Sequence, residues 1–181
     1  MSEFIAANLR NWDERAGLHA TDVTGRYRIA DMLAGESVLH AIEASEIGDV
    51  SGRRIAHLQC HIGLDTISLA HLGAIPTGLD FSPAALRAAR EFAAGAGRKV
   101  RFVEADVYDT PAALGEAYEM GFVTWGAINW LPDIGRWADT VSTLLEPGGT
   151  LYLAETHPSA LCLEQKDDLI TPFHAPGRSR R

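Results

Sequence analysis

Between residues 53 and 155, short apolar runs alternate with stretches in which apolar residues recur at helical spacing. Ile55 to Leu58 is a strand-length apolar run. A loop from Gln59 to Gly63 follows, then a helical run from Leu64 to Leu72 that closes at Gly73. Pro76 to Leu79 predicts a second strand and delivers Asp80 at its carboxyl end. Ser82-Pro83 opens the next helix, because the hydroxyl accepts an orphan backbone N–H and proline suits the first helical position. Leu86, Ala89 and Ala93 line one face of that helix until Gly95 and Gly97 end it. The alternation continues with a third strand (Val100 to Val103), a short helix (Pro111 to Glu116) and a fourth strand (Met120 to Trp125). Pro132-Asp133 opens a helix carrying Ile134, Trp137, Val141 and Leu144 on one face. Pro147-Gly148-Gly149 predicts a hard stop before a fifth strand, Thr150 to Ala154. Such alternation predicts an α/β fold with a mainly parallel sheet and crossover helices on both faces.

The residues before this unit read differently. Ile5, Leu9, Trp12 and Ala16 recur at helical spacing, and Val38, Leu39 and Ile42 mark a further helix, with Gly17, Gly25 and Gly35 as separators. We therefore expect a helical cap over 1–48, a Rossmann-like core over 49–168 and a polar tail over 169–181.

Composition narrows the function classes. A net charge of −8 argues against nucleic acid as a general partner, since phosphate binding needs a basic surface. No stretch is apolar for long enough to span a membrane, and the first residues are too polar for a signal peptide. Two cysteines make no disulfide framework, so a reduced, cytoplasmic protein is expected.

Asp80 stands about 20 residues beyond the first loop, the spacing at which a doubly wound sheet sets an acid on a ribose. With the stretches LQCHIGLDT, GLDFSP, VEADVYD and LLEPGGTLYLAE in that order, residues 51–155 resemble the class I S-adenosylmethionine-dependent methyltransferases. The first stretch also looks like one bacterial subgroup acting on small molecules. The resemblance implies a sheet of strand order 3-2-1-4-5 and S-adenosyl-L-methionine as cofactor. Asp80 would bind the ribose hydroxyls, with Phe81 and Ser82 beside it, and Asp106 the adenine amino group, with Val107 alongside. Gln59, Cys60, His61 and Gly63 would hold the methionine end. Trp125 and Gly126 follow the fourth strand, where related enzymes make cofactor contacts. Trp12, Tyr27, Asn129 and Trp130 are lid or substrate candidates. His157, just past the fifth strand, is a candidate general base, since imidazole titrates near neutrality.

Two departures from the family's pattern stand out. Its first loop runs acid-x-Gly-x-Gly-x-Gly, whereas those positions here hold His57, Gln59, His61 and Gly63. The family also continues past its fifth strand with a helix and an antiparallel hairpin. Here Ser159 to Asp168 supplies part of that helix, and the sixth and seventh strands read as missing. This suggests a shortened chain with an open fifth-strand edge, through which it could form a homodimer. A catalytically inactive binding module is the alternative function. A nicotinamide dehydrogenase fits poorly, because the first loop lacks G-x-G-x-x-G. The set His57, Cys60, His61 and Asp65 does not follow a zinc spacing, so no metal is expected.

Overall fold

Five parallel strands form the sheet in the order 3-2-1-4-5, and each is fed by a helical or turn segment of the kind read from the sequence. The computed structural model describes residues 3–166 and 169–172. The chain opens with α1 (Glu3–Ala20), α2 (Ile29–Leu33) and α3 (Ala41–Glu46). It then alternates β1 (Arg54–Leu58), α4 (Leu64–His71), β2 (Ile75–Asp80), α5 (Pro83–Gly95), β3 (Arg101–Glu104), α6 (Thr110–Leu114), β4 (Tyr118–Thr124), α7 (Ile134–Leu144) and β5 (Leu145–Ala154). Among the described residues, no helix is long and apolar enough to cross a membrane.

The strands sort their side chains to two helical layers, as the two-residue period requires. Ile55 and Phe122 pack with Leu39, Ile47 and Leu69, beneath α3 and α4. Ala56, Leu58 and Val123 face the other way, against Trp137, Val141 and Leu144 of α7. A third cluster joins α1 and α2 to α4 and α5 through Ala16, Met32, Ile67, Leu86 and Ala89. Gly63 sits where this cluster meets the sheet, at φ 75°. A Cβ there would lie 2.8 Å from the Ala89 Cβ and 2.9 Å from the Phe102 ring. Only glycine allows both the left-handed turn and that approach of α4 to its neighbours.

Several expectations need correction. Gly17 does not separate two helices. Helix α1 runs through it to Ala20, since one exposed glycine costs a helix only about 1 kcal/mol against alanine. Pro147-Gly148-Gly149 is not a stop ahead of β5 but lies inside it. The register against β4 shifts there, from Tyr118 opposite Leu145 to Met120 opposite Thr150, so the proline and two glycines of this segment form a bulge.

The helix expected over Ser159 to Asp168 is a 3-10 turn, Pro158–Cys162, followed by β6 (Leu163–Lys166). The main sheet stops at five strands, as expected, although two further short strands follow in the chain. β6 and β7 (Leu169–Pro172) pair antiparallel as a separate two-stranded sheet that does not extend the main one. Leu169 to Pro172, read from sequence as the start of a polar tail, is thus a strand; the remainder of that tail, 173–181, lies outside the described residues.

Candidate active site

The carboxyl ends of β1 to β4 open into a cavity of about 640 Å³, roofed by the N-terminal helices. Its volume lies in the upper half of the roughly 300–1,000 Å³ usual for small-molecule sites. Of the residues singled out from sequence, Trp12, Tyr27, Gln59, Cys60, His61, Gly63, Asp80, Phe81, Asp106, Val107, Trp125, Gly126 and Trp130 line it. Ser82, Asn129 and His157 do not. Ser82 instead caps α5, accepting the Ala85 N–H at 3.0 Å. His157 is exposed, and its Nδ1 lies 2.7 Å from the Ser159 hydroxyl as it caps the 3-10 turn.

The β2 and β3 side of the cavity is built from strand ends. Asp80 is the last residue of β2 and pairs in register with Glu104 of β3, which places Asp106 just beyond. Asp80 Oδ2 accepts the His61 N–H at 2.8 Å, and Oδ1 accepts the Ser82 N–H at 2.9 Å. Burial raises the Asp80 carboxyl to about 6 against the pull of these amides. Asp106 caps the following turn, accepting the Tyr108 N–H at 3.0 Å. Leu79, Phe81, Ala105 and Val107 supply apolar walls between the two acids.

The first loop keeps the shape that glycines give it while carrying side chains. Gln59 and His61 adopt φ values of 55° and 51°, a left-handed conformation that costs a non-glycine residue about 1–3 kcal/mol. Their side chains turn to opposite flanks. Gln59 Nε2 donates to the Ala127 carbonyl at 2.8 Å, and its buried Oε1 has no partner. His61 Nε2 meets His19 Nδ1 at 3.3 Å. Trp12 packs edge-on against both His61 and Trp130. Burial, then the neighbouring His19, lowers His61 to about 4, so this imidazole pair is neutral. Asn8 adds a hydrogen bond to the Trp130 carbonyl at 3.1 Å, so α1 is tied to the loops after both β1 and β4.

His57 turns away from Leu58, as the strand period predicts. It is buried against Phe122, with Nδ1 2.8 Å from the Thr66 hydroxyl. Burial lowers it to about 3, so it too is neutral. Burial likewise pushes the Cys60 thiol up, which makes it a packing group rather than a nucleophile.

The β4 end holds residues that the sequence reading missed. Glu43 of α3 is 1% exposed. It accepts the His40 N–H at 2.6 Å and the Trp125 indole N–H. Asp65, in the first turn of α4, accepts the Thr124 hydroxyl at 3.1 Å. Burial, then the Glu43 charge, raises Asp65 to about 7. Glu155, at the end of β5, accepts the N–H groups of Gly126 and Ile128 and so fixes the loop after β4. The spacing His40-x-x-Glu43 is a helix-start signal, but nothing in it points 82 residues on to Trp125. Among the described residues, no three His, Cys, Asp or Glu side chains are placed to hold a metal.

A family profile described as "Methyltransferase domain" matches residues 55–149, just over half of the chain. The chain belongs to this methyltransferase family. Solved structures agree on the fold. The glycopeptide N-methyltransferase MtfA in complex with sinefungin is 28% identical, with a TM-score of 0.52 over 60% of this chain and 49% of that one. The DhpI–SAH complex is 21% identical, with a TM-score of 0.64 over 93% and 78%. An S-adenosylmethionine-dependent methyltransferase from Clostridium acetobutylicum is 19% identical, with a TM-score of 0.52 over 61% and 45%. The chain therefore spans about half the length of two of these three proteins. No curated protein matched.

Proposed function

We propose that this methyltransferase domain binds S-adenosylmethionine in the cavity and transfers its methyl group to a small molecule. The observation that carries the reading is the pair of carboxylates, Asp80 and Asp106, at the ends of adjacent strands on one cavity with an apolar slot between them. Asp80 suits the ribose hydroxyls, and Asp106 the adenine amino group. At the far side of the first loop, the unpartnered Gln59 Oε1 is an acceptor of the kind the cofactor's ammonium group satisfies.

When bound, the cofactor supplies an electrophilic methyl carbon, so the protein's main task is alignment. Gln59 and Gly63 shape the loop that holds the methionine end, and Trp12, Tyr27 and Trp130 close the cavity above it. Both cysteines are free, in keeping with a reducing cytoplasm. MtfA acts on a glycopeptide nitrogen, which supports a small natural product or metabolite as the acceptor here.

Calorimetric titration with S-adenosylhomocysteine tests the reading. We expect micromolar binding by the wild-type chain and a loss of about 10- to 100-fold in Asp80→Ala, the cost of removing charged hydrogen bonds to a ribose. A folded wild-type chain that does not bind would overturn it.

A further inference from the structure

Two carboxylates meet at the β4 end of the cavity, and their surroundings differ. Both oxygens of Glu43 are engaged, one by the His40 N–H and one by the Trp125 indole. Asp65 has one engaged oxygen, Oδ2, held by the Thr124 hydroxyl. Its Oδ1 has no hydrogen-bond partner among the described residues and is not shut off from the cavity that the residue lines.

No lysine or arginine neutralises the pair among the described residues. Two arginines line the cavity: the Arg28 guanidinium is taken by Asp31 and Glu36, and Arg26 makes no ion pair with Glu43 or Asp65. The groups facing Asp65 are the Glu43 charge from α3, the Thr124 hydroxyl at the end of β4 and the Cys60 thiol of the first loop, which burial keeps uncharged; Trp125 and the neutral His57 line the same cavity. The site therefore holds a partly buried carboxylate with one oxygen free of hydrogen bonds and a like charge beside it. Such an arrangement favours taking up a proton or a cationic group.

Its place in the sheet matters as much as its chemistry. Strand β4 lies two positions from β2, across β1. At about 4.8 Å per strand, the β4 end is therefore about 10 Å from the acid assigned to the ribose. A hydrogen bond from Asp80, the ribose ring and the few bonds from it to the methyl carbon together cover most of that distance. We propose that Asp65 is the catalytic base, its Oδ1 taking the proton from an acceptor whose nucleophilic atom is an N–H, O–H or S–H. This rests on the cofactor reading above.

In the balanced step, the acceptor's lone pair forms a bond to the methyl carbon, and the methyl–sulfur electron pair stays on sulfur. The acceptor's proton passes to Asp65 Oδ1 and later to water. Thr124 and Glu43 are positioning residues: Thr124 fixes the carboxylate plane, and Glu43 adds its charge to the burial that keeps Asp65 basic near neutrality. His157, which does not line the cavity, is given no part in it.

The test compares two ligands, S-adenosylhomocysteine and sinefungin, the latter bearing an ammonium where the cofactor carries its sulfonium methyl. In Asp65→Asn we expect S-adenosylhomocysteine affinity to stay within about twofold and sinefungin affinity to fall by about tenfold or more, as a charged contact is lost. In the wild-type chain, the preference for sinefungin should weaken as pH falls from 8 to 6 and Asp65 protonates. Equal changes for both ligands, or none, would place Asp65 away from the reacting carbon and overturn the proposal, as would a pH-independent preference in the wild type. A wild-type chain that binds neither ligand would instead overturn the cofactor reading beneath it.

Discussion

The two ends of the cavity are built by different means. At the β2 and β3 side, acids occupy the last positions of strands and the turns just beyond, and backbone amides hold them. At the β1 and β4 side, the site is assembled from side chains of distant segments. Glu43 reaches Trp125, Asp65 reaches Thr124, and His19 reaches His61. Three of the residues there, Gln59, His61 and Trp125, hold left-handed backbone without being glycine. The first end is fixed by topology. The second is where this chain departs from the family's pattern, so it is where substrate choice and proton handling would be set.

The contrast can be tested from its strongest consequence to its weakest. Gly63 belongs to the frame both ends share, so Gly63→Val should be the most damaging change. It adds overpacking against Ala89 and Phe102 to a strained φ, and about 3 kcal/mol or more of stability should disappear from a denaturant unfolding curve. Next, Asp106→Ala should weaken S-adenosylhomocysteine by about tenfold, one hydrogen bond's worth, while leaving sinefungin preference intact. If the preference changed as well, the two ends would not be independent.

A third test uses pH. Asp65 and Asp80 have folded values of about 7 and about 6, against an ordinary 3.8. The native state therefore holds more protons than the unfolded one in that range. Their contribution to stability is complete below about pH 4 and is lost as pH rises through 6 and 7. His57 and His61 act in the opposite sense. With folded values of about 3 and about 4 against an ordinary 6.5, they favour the native state above pH 6.5 and lose that advantage on acidification. Asp65→Asn removes one raised carboxyl, so its Tm should exceed the wild type's by a few degrees at pH 8. The gap should narrow at pH 5; a gap of constant size would show that the change acts through packing instead.

The smallest effect concerns the sheet's open side. Among the described residues β5 pairs only with β4, and Leu151 and Leu153 stand partly exposed on it. We expect weak self-association through this edge, which light scattering at high concentration would detect; a strict monomer counts against it.

How much of this was legible in the sequence follows the same division. Strand ends, the Ser82-Pro83 cap and Asp80 could be read because local chemistry fixes them: a proline at the first helical turn and an acid after a buried run mean much the same in any context. The loop Gln59 to Gly63 was legible as a position but not as a shape, because a left-handed glutamine and histidine violate local preference and are held only by tertiary contacts. Glu43 and Asp65 were not legible as partners at all. They come from separate helices, and their meeting depends on how α3 lies over the sheet, which no pattern of spacing records. The bulge at Pro147-Gly148-Gly149 was misread because those residues also end helices, and only pairing with β4 decides between the two outcomes.

Helix α1 has one more connection. Asp13 accepts the Ser82 hydroxyl and the Ala84 N–H, so the first turn of α5 is completed by a residue about 70 positions earlier in the chain. Ser82 in turn donates its own N–H to Asp80. Roof, helix cap and Asp80 are thus joined in one hydrogen-bonded chain. In the folded protein, an opening of α1 is also a loosening of α5 and Asp80. Amide exchange at Ala84 and Ala85 would then report on traffic through the roof, and a bound nucleoside would slow both together.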